Sequence, residues 1–151
     1  MDLNKSLKAA INMVAHQAAK VKITLVQRIA GLPMITANRL EIEQVFMNLL
    51  LNAIQQMPNS HRARGRIIIE ASYFAEDIDY PIKIRFSDTG PGIHQNFLDK
   101  IFEPMYSTKT KGTGMGLYIC RELLARMNAR LSVEKTAILV GTTFLVELRR
   151  S

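Results

Sequence analysis

The chain has 151 residues, of which 48% are hydrophobic and 22% are charged. This length and composition predict one compact domain with its own hydrophobic core, and we expect no second domain. No apolar run approaches the roughly 20 residues that a membrane-spanning helix needs, and residues 1–4 do not begin a secretory signal. We therefore expect a soluble, intracellular domain that makes no membrane contact of its own.

The formal net charge is +7 and the pI is about 9.8, a balance that suits a nucleic acid, an acidic protein or a polyphosphate ligand. The densest basic run consists of Arg62, Arg64 and Arg66, and it has no interleaved aromatic residues that could stack on bases. We interpret this run as a solvated loop and expect no nucleic-acid partner. The single cysteine, Cys120, excludes an internal disulfide, and its apolar surroundings indicate core filling.

The first third of the chain predicts two helices with a strand between them. Residues 3–19 carry apolar side chains at helical spacing, and residues 21–27 form a β-rich segment. Asn38 is a suitable N-cap for a second helix over residues 39–57, which ends before Pro58.

The middle of the chain predicts a hairpin. Residues 66–74 and 82–87 are rich in β-branched and aromatic side chains and are joined by an acidic turn. Residues 94–101 are predicted to form a short helix, and residues 102–111 have the polar, proline-interrupted character of a loop.

The last part of the chain predicts a helix over residues 116–127 and strands over residues 130–134 and 142–148. In total, the sequence predicts about five strands and three to four helices. The regular strand-helix alternation of a doubly wound sheet is missing, so we predict an α+β fold, a two-layer sandwich.

A polar stripe interrupts the second predicted helix, which is otherwise apolar. Residues four apart lie on one helix face, so Gln44, Asn48, Asn52 and either Gln55 or Gln56 form a row of amides. An amide buried without a partner costs roughly 2 to 7 kcal/mol, so such a row indicates partners. A metal ion with its phosphates is one interpretation; a neighbouring loop that merely meets the amides is the other.

Two glycine loops follow this helix. In the first, Asp88 comes after a predicted strand, and Gly90 and Gly92 lack the Cβ that would keep a ligand ring away from the backbone. An ordinary Asp-Thr-Gly turn is the alternative, although Pro91 between the glycines disfavours it. The second loop offers bare amides for an anion at a helix N-terminus, through three glycines: Gly112, Gly114 and Gly116. A dinucleotide-binding loop needs a strand directly before these glycines, and a P-loop needs a motif that the chain lacks.

These segments together resemble the N, G1, F and G2 boxes of sensor histidine kinases, in the same order and spacing. The four matching runs are Asn48-Leu49-Leu50-Leu51-Asn52-Ala53, Asp88-Thr89-Gly90-Pro91-Gly92-Ile93, Ile101-Phe102-Glu103-Pro104 with Ser107-Thr108-Lys109, and Gly112-Thr113-Gly114-Met115-Gly116-Leu117. One glycine loop would be weak support, whereas four boxes in register are specific. The resemblance covers nearly the whole chain, and it implies that residues 1–151 are the catalytic ATP-binding domain of that family.

The resemblance implies a five-stranded mixed sheet packed on three main helices, the Bergerat type of ATP-binding fold, and it implies ATP and Mg²⁺ as ligands. Asn52 is the first choice for holding Mg²⁺ and Asn48 the second, while Asp88 would read the exocyclic amine of adenine. Phe102 would anchor a short ATP lid, in which Lys109 or Lys111 would either neutralise phosphate charge or simply be solvated. The implied ATP contacts are Asn48, Asn52, Asp88, Gly90, Gly92, Ile93, Phe102, Lys109, Lys111, Gly112, Thr113, Gly114, Met115, Gly116, Leu117 and Thr143.

One departure from the common family pattern affects the γ-phosphate. Members often carry a lysine or arginine three residues after the second asparagine of the N box, where this chain has Gln55. A lid lysine would then have to make that contact. The gyrase and MutL-like ATPases share this pocket but place a general-base glutamate where this chain has Asn48. Because an amide cannot take a proton from water at neutral pH, we expect phosphoryl transfer rather than efficient hydrolysis, and we assign no general base.

The acceptor of the phosphoryl group is not expected in this chain. Family acceptors lie in a His-Glu/Asp-x-x-x-Pro setting, which His16, His61 and His94 all lack. The resemblance therefore implies two partners, a histidine-containing dimerisation domain of the same parent protein and a response regulator receiver domain. It also implies a cytoplasmic domain whose parent protein can be anchored in the membrane. An anti-sigma-type serine kinase and a non-catalytic ATP-dependent interaction module are the alternatives.

Overall fold

The computed structural model describes residues 1–57, 65–104 and 116–150. Three helices and five strands make up most of this part of the chain, with one short 3₁₀ turn at Gln95–Phe97. In chain order the elements are α1 (Leu3–Lys20), β1 (Thr24–Ile29), α2 (Arg39–Gln56), β2 (Arg66–Tyr73), β3 (Ile82–Asp88), α3 (Gly116–Arg126), β4 (Arg130–Ala137) and β5 (Gly141–Leu148).

The five strands form one mixed sheet in the order β1-β2-β3-β5-β4. The β1–β2 pair is parallel, and the other three pairs are antiparallel. Parallel neighbours need a crossover connection, which α2 supplies between β1 and β2. The predicted α+β class, the mixed five-stranded sheet and the three main helices are confirmed, as is the predicted hairpin of β2 and β3.

The core lies between the sheet and the helices. Side chains alternate along β3, so Ile84 and Phe86 are buried while Lys83 and Arg85 lie on the opposite face. Phe46 of α2 packs on Phe86 with their ring centroids 5.8 Å apart, which joins the helical layer to the sheet. No helix in the described ranges is long and apolar enough to cross a membrane.

Side-chain caps fix where the first two helices begin. The Asp2 carboxylate accepts a hydrogen bond from the Lys5 amide at 3.2 Å, and it starts α1. The Asn38 side chain accepts from the amides of Leu40 and Glu41, which confirms the predicted N-cap of α2. Each cap satisfies amides that have no partner within the helix, so the position of the N-box helix is set at its first turn.

Predicted boundaries were wrong for the first strand and for the short helix after the first glycine loop. The first strand begins at Thr24 rather than at residue 21, because Lys22 takes a positive φ of 59° and turns the chain out of α1 before the strand can start. The short helix predicted over residues 94–101 is only the 3₁₀ turn Gln95–Phe97. Ile101 is the one buried side chain in that segment, and a helix with no apolar face has nothing to pack.

The β4–β5 hairpin is longer than predicted. β4 continues to Ala137, three residues beyond the expected end at Glu134, because a bulge between Val133 and Lys135 shifts the pairing with β5. The bulge breaks the alternation of apolar and polar residues, which is the signal that predicts a strand. The turn that follows carries three exposed aliphatic residues, Ile138, Leu139 and Val140.

Candidate functional site

Asp88 is the last residue of β3, at the end of a central strand where the prediction placed it. Its Oδ1 atom accepts hydrogen bonds from the Gly90 amide at 2.9 Å and from the Thr142 amide at 3.3 Å. Burial raises the pKa of this carboxyl above its usual value of 3.8, although these two bonds oppose the shift. Both bonds use Oδ1, so Oδ2 is the carboxylate oxygen that remains available to a ligand within the described part of the site.

The loop after Asp88 is held against the β4–β5 hairpin by main-chain contact. Gly92 has a φ of +79°, and a Cβ there would overlap the carbonyl of Ala137. Gly141 has a φ of +146°, and a Cβ there would overlap the carbonyl of Asp88 itself. Gly92 thus serves this hairpin contact, a reason for glycine beyond the ligand approach that the sequence predicts, and Gly141 is a requirement that the sequence analysis missed.

The end of α2 adjoins the same loop. The Thr89 hydroxyl contacts the Met57 sulfur at 3.8 Å, and a Cβ on Gly90 would lie 3.6 Å from Met57. Gly90 is buried, so the G1 loop fits closely between the helix end and the sheet. The helix with the predicted metal ligands and the strand end with the predicted base reader therefore meet at one place.

The amide stripe of α2 lies at the margin of the core rather than within it. Asn48, Asn52 and Gln56 are half-buried, while Gln44 and Gln55 are exposed. The row predicted from the sequence therefore fails at Gln44, and Gln56 rather than Gln55 continues it at the other end. The Asn48 side chain hydrogen-bonds the buried thiol of Cys120 in α3. Asn48 thus has a structural partner that is a helix, whereas the alternative interpretation invoked a loop.

Cys120 is completely buried, as predicted for a core residue. Burial raises the pKa of its thiol to about 12, an effect that the hydrogen bond from Asn48 only partly offsets. The thiol also donates to the carbonyl of Val45 at 3.7 Å. These contacts fasten α3 to the middle of α2, and they fix the direction in which the first turn of α3 approaches the site.

The second glycine loop is described only at its end. Gly116 begins α3, and no described atom lies within 4 Å of the position that its Cβ would take, so the described residues give no packing reason for glycine there. Leu117, the next residue, is half-buried against the core. The remaining predicted contacts of this loop and of the lid lie outside the described residues: Lys109, Lys111, Gly112, Thr113, Gly114 and Met115.

Phe102 packs its ring on the core, a few residues before the predicted lid in the sequence. Its ring meets Phe144 of β5 edge to face, with centroids 6.3 Å apart, and the Arg121 guanidinium lies 4.2 Å from its centroid. The ring is half-buried as the prediction requires, whereas the lid that it would anchor lies outside the described residues. Arg121 is a contact that no sequence signal indicated.

The structure separates two adjacent threonines that the sequence could not tell apart. Thr142 pairs with Asp88 in the sheet, whereas Thr143, the predicted ATP contact, pairs with Ser87. Neighbouring residues of a strand point to opposite faces, so Thr143 lies on the face away from Asp88. Its hydroxyl is 2.8 Å from that of Ser87. The register β3–β5 is non-local, and nothing in the sequence alone could have distinguished Thr142 from Thr143.

The donor chemistry of α2 fits a magnesium ion that arrives with a nucleotide. No group of three or more His, Cys, Asp or Glu side chains that could hold a metal occurs in the residues that the structure describes. The amide oxygens of Asn48 and Asn52 are hard, neutral donors, and Mg²⁺ prefers oxygen ligands and takes its charge balance from substrate phosphates. The site suits a metal that is bound as a metal–phosphate complex.

Comparison with known proteins agrees with this geometry. The family model described as "Histidine kinase-, DNA gyrase B-, and HSP90-like ATPase" matches residues 37–151. The C4-dicarboxylate transport sensor protein DctS of Rhodobacter capsulatus is 32% identical over 149 residues, which cover 98% of this chain and 22% of that protein. The chain therefore spans about a fifth of the length of this relative. It likewise matches 21% of the length of the sensor protein FixL of Bradyrhizobium diazoefficiens.

Solved structures give the same result. The nucleotide-free catalytic domain of the histidine kinase ThkA superposes with a TM-score of 0.82 at 26% identity, and the match covers 99% of this chain and 93% of that domain. Full-length ShkA in complex with AMPPNP superposes with a TM-score of 0.82 at 26% identity over 98% of this chain and 30% of its own. The chain belongs to the family of histidine kinase-, gyrase B- and HSP90-like ATPases. Its relatives within that family are sensor histidine kinases, and the solved domains that it matches are histidine kinase catalytic domains.

Proposed function

We propose that this chain is the ATP-binding catalytic domain of a sensor histidine kinase, which transfers the γ-phosphoryl group of ATP to a histidine on a separate dimerisation domain. The observation that carries the proposal is the Asp88 carboxylate, whose Oδ1 is committed to two backbone amides. An adenine amine would donate its hydrogen bond to Oδ2. The nucleotide complex of the related ShkA supports ATP as the ligand.

The amides of α2 would hold the metal. Asn52 is our first choice and Asn48 the second, in the order that the family resemblance implies. Asn48 also hydrogen-bonds the thiol of Cys120. Bound Mg²⁺ would supply charge neutralisation across the phosphate oxygens. The first turn of α3 would add backbone amides and the positive end of the helix dipole, and no described atom would crowd the phosphates beside Gly116. The loop contacts Gly112, Thr113, Gly114 and Met115 and the lid lysines Lys109 and Lys111 remain predictions.

Transfer rather than hydrolysis is favoured by the neutral residue at position 48. An asparagine cannot act as general base toward water, so catalysis would rest on positioning and electrostatic stabilisation of the transferred group. Neither described histidine lies in the acceptor setting, because Gln17 follows His16 and Gln95 follows His94 where family acceptors have an acid. In addition, His94 Nδ1 accepts a hydrogen bond from the Asn96 amide at 3.1 Å. We therefore infer that the acceptor lies on another domain of the parent protein, and that a response regulator receives the phosphoryl group next.

A cytoplasmic location follows from this proposal, since ATP and the receiver domains of response regulators are found there. On the same basis we propose Thr142, rather than Thr143, as the threonine near the base. Thr142 shares its sheet face with Asp88, and its amide donates to the carboxylate that would read adenine.

Titration calorimetry with Mg-ATP tests the binding site. Replacing Asp88→Asn removes the charged acceptor, and a hydrogen bond to a charged group is worth about 1.5–3 kcal/mol, so the dissociation constant should rise at least about tenfold. Asp99→Asn, at an exposed acid on the loop before Phe102, is the matched control and should bind as the parent chain does. Asn52→Ala should weaken Mg-ATP, with exposed Asn12→Ala as its control. Unchanged binding in the Asp88 and Asn52 variants would refute the site.

Phosphorylation assays test the reaction class. The chain is incubated with labelled ATP and a purified histidine-containing dimerisation domain, and a base-stable, acid-labile label on that domain is expected. A label on a serine of an anti-anti-sigma protein would instead support the serine kinase alternative. Nucleotide binding without label on either acceptor would support the non-catalytic interaction module.

A further inference from the structure

The hydroxyl of Thr136 in β4 lies at the centre of a hydrogen-bond network that closes the G1 loop. It accepts from the Ile93 amide at 2.9 Å and lies 2.8 Å from the hydroxyl of Thr142. It also contacts the carbonyl of Gly141 at 3.4 Å. Thr136 belongs to none of the four boxes, and it lies on the far side of β5 from Asp88.

This network connects the two ends of the base-reading loop. Thr142, which is bonded to Thr136, donates its amide to Asp88 at the start of the loop, and Ile93 is the residue at the end of the loop. One hydroxyl offers one donor and two acceptor positions, and the three contacts of Thr136 use all of them. No other side chain in the described part of the chain is bonded to both of these anchoring points.

Few main-chain hydrogen bonds hold the G1 loop against the β4–β5 hairpin. Gly92 and Gly141 are in direct backbone contact with the opposing segments, so no side chain there can adjust the spacing. Leu139 adds one backbone bond, from its amide to the Pro91 carbonyl at 2.8 Å. The Thr136 hydroxyl is therefore the side-chain group that determines where Ile93 lies relative to the Asp88 carboxylate.

We propose that Thr136 is a positioning residue for base recognition, acting through Thr142 and Ile93 to hold the Asp88 carboxylate at the angle that an exocyclic amine requires. This inference rests on the proposed ATP site. A general stabilising role would affect the binding of every nucleotide. The network instead aligns the Asp88 carboxylate, which would bind the exocyclic amine, so its loss should weaken adenine nucleotides more than purine nucleotides without that amine.

Replacing Thr136→Val keeps the shape and the β-branching but removes the hydroxyl. Calorimetry compares Mg-ATP with purine riboside triphosphate, which lacks the exocyclic amine. We expect the affinity for ATP to fall about tenfold, the equivalent of one lost hydrogen bond of about 1.4 kcal/mol, and the affinity for the amine-free analogue to change little. Thr136→Ser should restore the preference for ATP. Thr24→Val, at an exposed strand position on β1, is the matched control and should leave both affinities unchanged.

Two results would overturn the proposal: equal weakening of both nucleotides, which indicates a structural role, and an unchanged ratio in Thr136→Val. Amide hydrogen exchange of the ligand-free chain provides a test that does not depend on nucleotide binding. The Ile93 amide should exchange faster in Thr136→Val and return to the parent rate in Thr136→Ser. If the parent chain bound no ATP, the proposed function would fail, while this exchange result would still decide whether Thr136 fixes the loop.

Discussion

Asp88 combines a charge with a half-buried position. Its pKa is raised because burial disfavours the ionised form, so the carboxylate is destabilising at neutral pH in the empty site. This loss of folding stability is complete above the pKa of Asp88 in the folded domain. It disappears as the pH falls toward 3.8, the ordinary pKa of the group. A carboxyl group whose ionised form weakens the free domain is a candidate for a functional role, and the proposed hydrogen bond from an adenine amine to Oδ2 would be that role.

Ser6 in α1 is the opposite case, a buried polar group without a ligand-binding reason. Its hydroxyl is the one buried side-chain polar atom in the described ranges that has no hydrogen-bond partner. Replacing Ser6→Ala should stabilise the domain by about 1 kcal/mol, because alanine is the better helix former and carries no hydroxyl to desolvate. Urea unfolding measures the gain.

Exposed Asn12→Ala on the same helix is the control for helix propensity alone. Ser6→Ala should gain more than this control. If Ser6→Ala lowers the urea midpoint instead, the hydroxyl makes a hydrogen bond that stabilises α1.

At the level of elements, the tip of the β4–β5 hairpin is strained. Leu139 has a φ of 64°, a left-handed conformation that costs a residue with a side chain roughly 1–2 kcal/mol. Replacing Leu139→Gly removes that cost. Glycine also gives the unfolded chain more conformational entropy, which offsets part of the gain, so we expect the free energy of unfolding to rise by about 0.5 kcal/mol. The neighbouring Ile138→Gly should lose stability, since Ile138 has no positive φ to relieve. Equal losses in both variants would show that Leu139 packs favourably enough to outweigh its strain.

The outer face of the sheet carries an ion-pair network on β3, β4 and β5. Glu147 accepts from Lys83 at 2.8 Å and from Arg130 at 3.1 Å. Burial alone would raise the pKa of Glu147, but the bonds from Lys83 and Arg130 outweigh it and hold this pKa below its usual 4.5. A lowered carboxyl pKa contributes stability that is complete above pH 4.5 and is lost as the pH falls through the folded-state value.

Glu147→Gln should therefore cost about 1 kcal/mol at pH 7, or about 2–4 °C in Tm, and the loss should shrink as the pH falls below 4.5. Thermal unfolding between pH 3 and pH 7 measures both effects. Exposed Glu122→Gln on α3 is the matched control and should follow the parent curve. A Glu147→Gln curve parallel to that of the parent chain would contradict a contribution from the ion pairs.

At the scale of the whole molecule, the features that depend on local sequence patterns were predicted correctly. The Asn38 cap and the apolar residues after it predicted α2, and the β-branched and aromatic residues over 82–87 predicted β3 and with it the position of Asp88 at the strand end. The four boxes in register predicted the family and the mixed sheet, both of which are confirmed. Each cap, strand and single box lies within a short window of sequence, and the boxes need only their order along the chain to indicate the family.

The remainder depends on pairing between distant segments. Thr142 differs from Thr143 only through the register of β5 on β3, and Thr136 reaches Ile93 only because a bulge in β4 changes which residues face the site. A bulge removes the alternation from which a strand is predicted, so the segment with the least regular pattern contains the central hydroxyl of the network. Periodicity cannot supply such contacts, since register is a property of two strands and not of one.

The contact at Gly92 and Gly141 has an evolutionary consequence. Two main chains touch there without a side chain between them, so no larger residue can act as a spacer and no smaller one can make room. Drift in sequence cannot widen or narrow this end of the cleft by gradual steps. Under the proposed function, new ligand preferences would therefore arise through exchange of the carboxylate at position 88 or through insertions elsewhere, and not through gradual change at these two glycines.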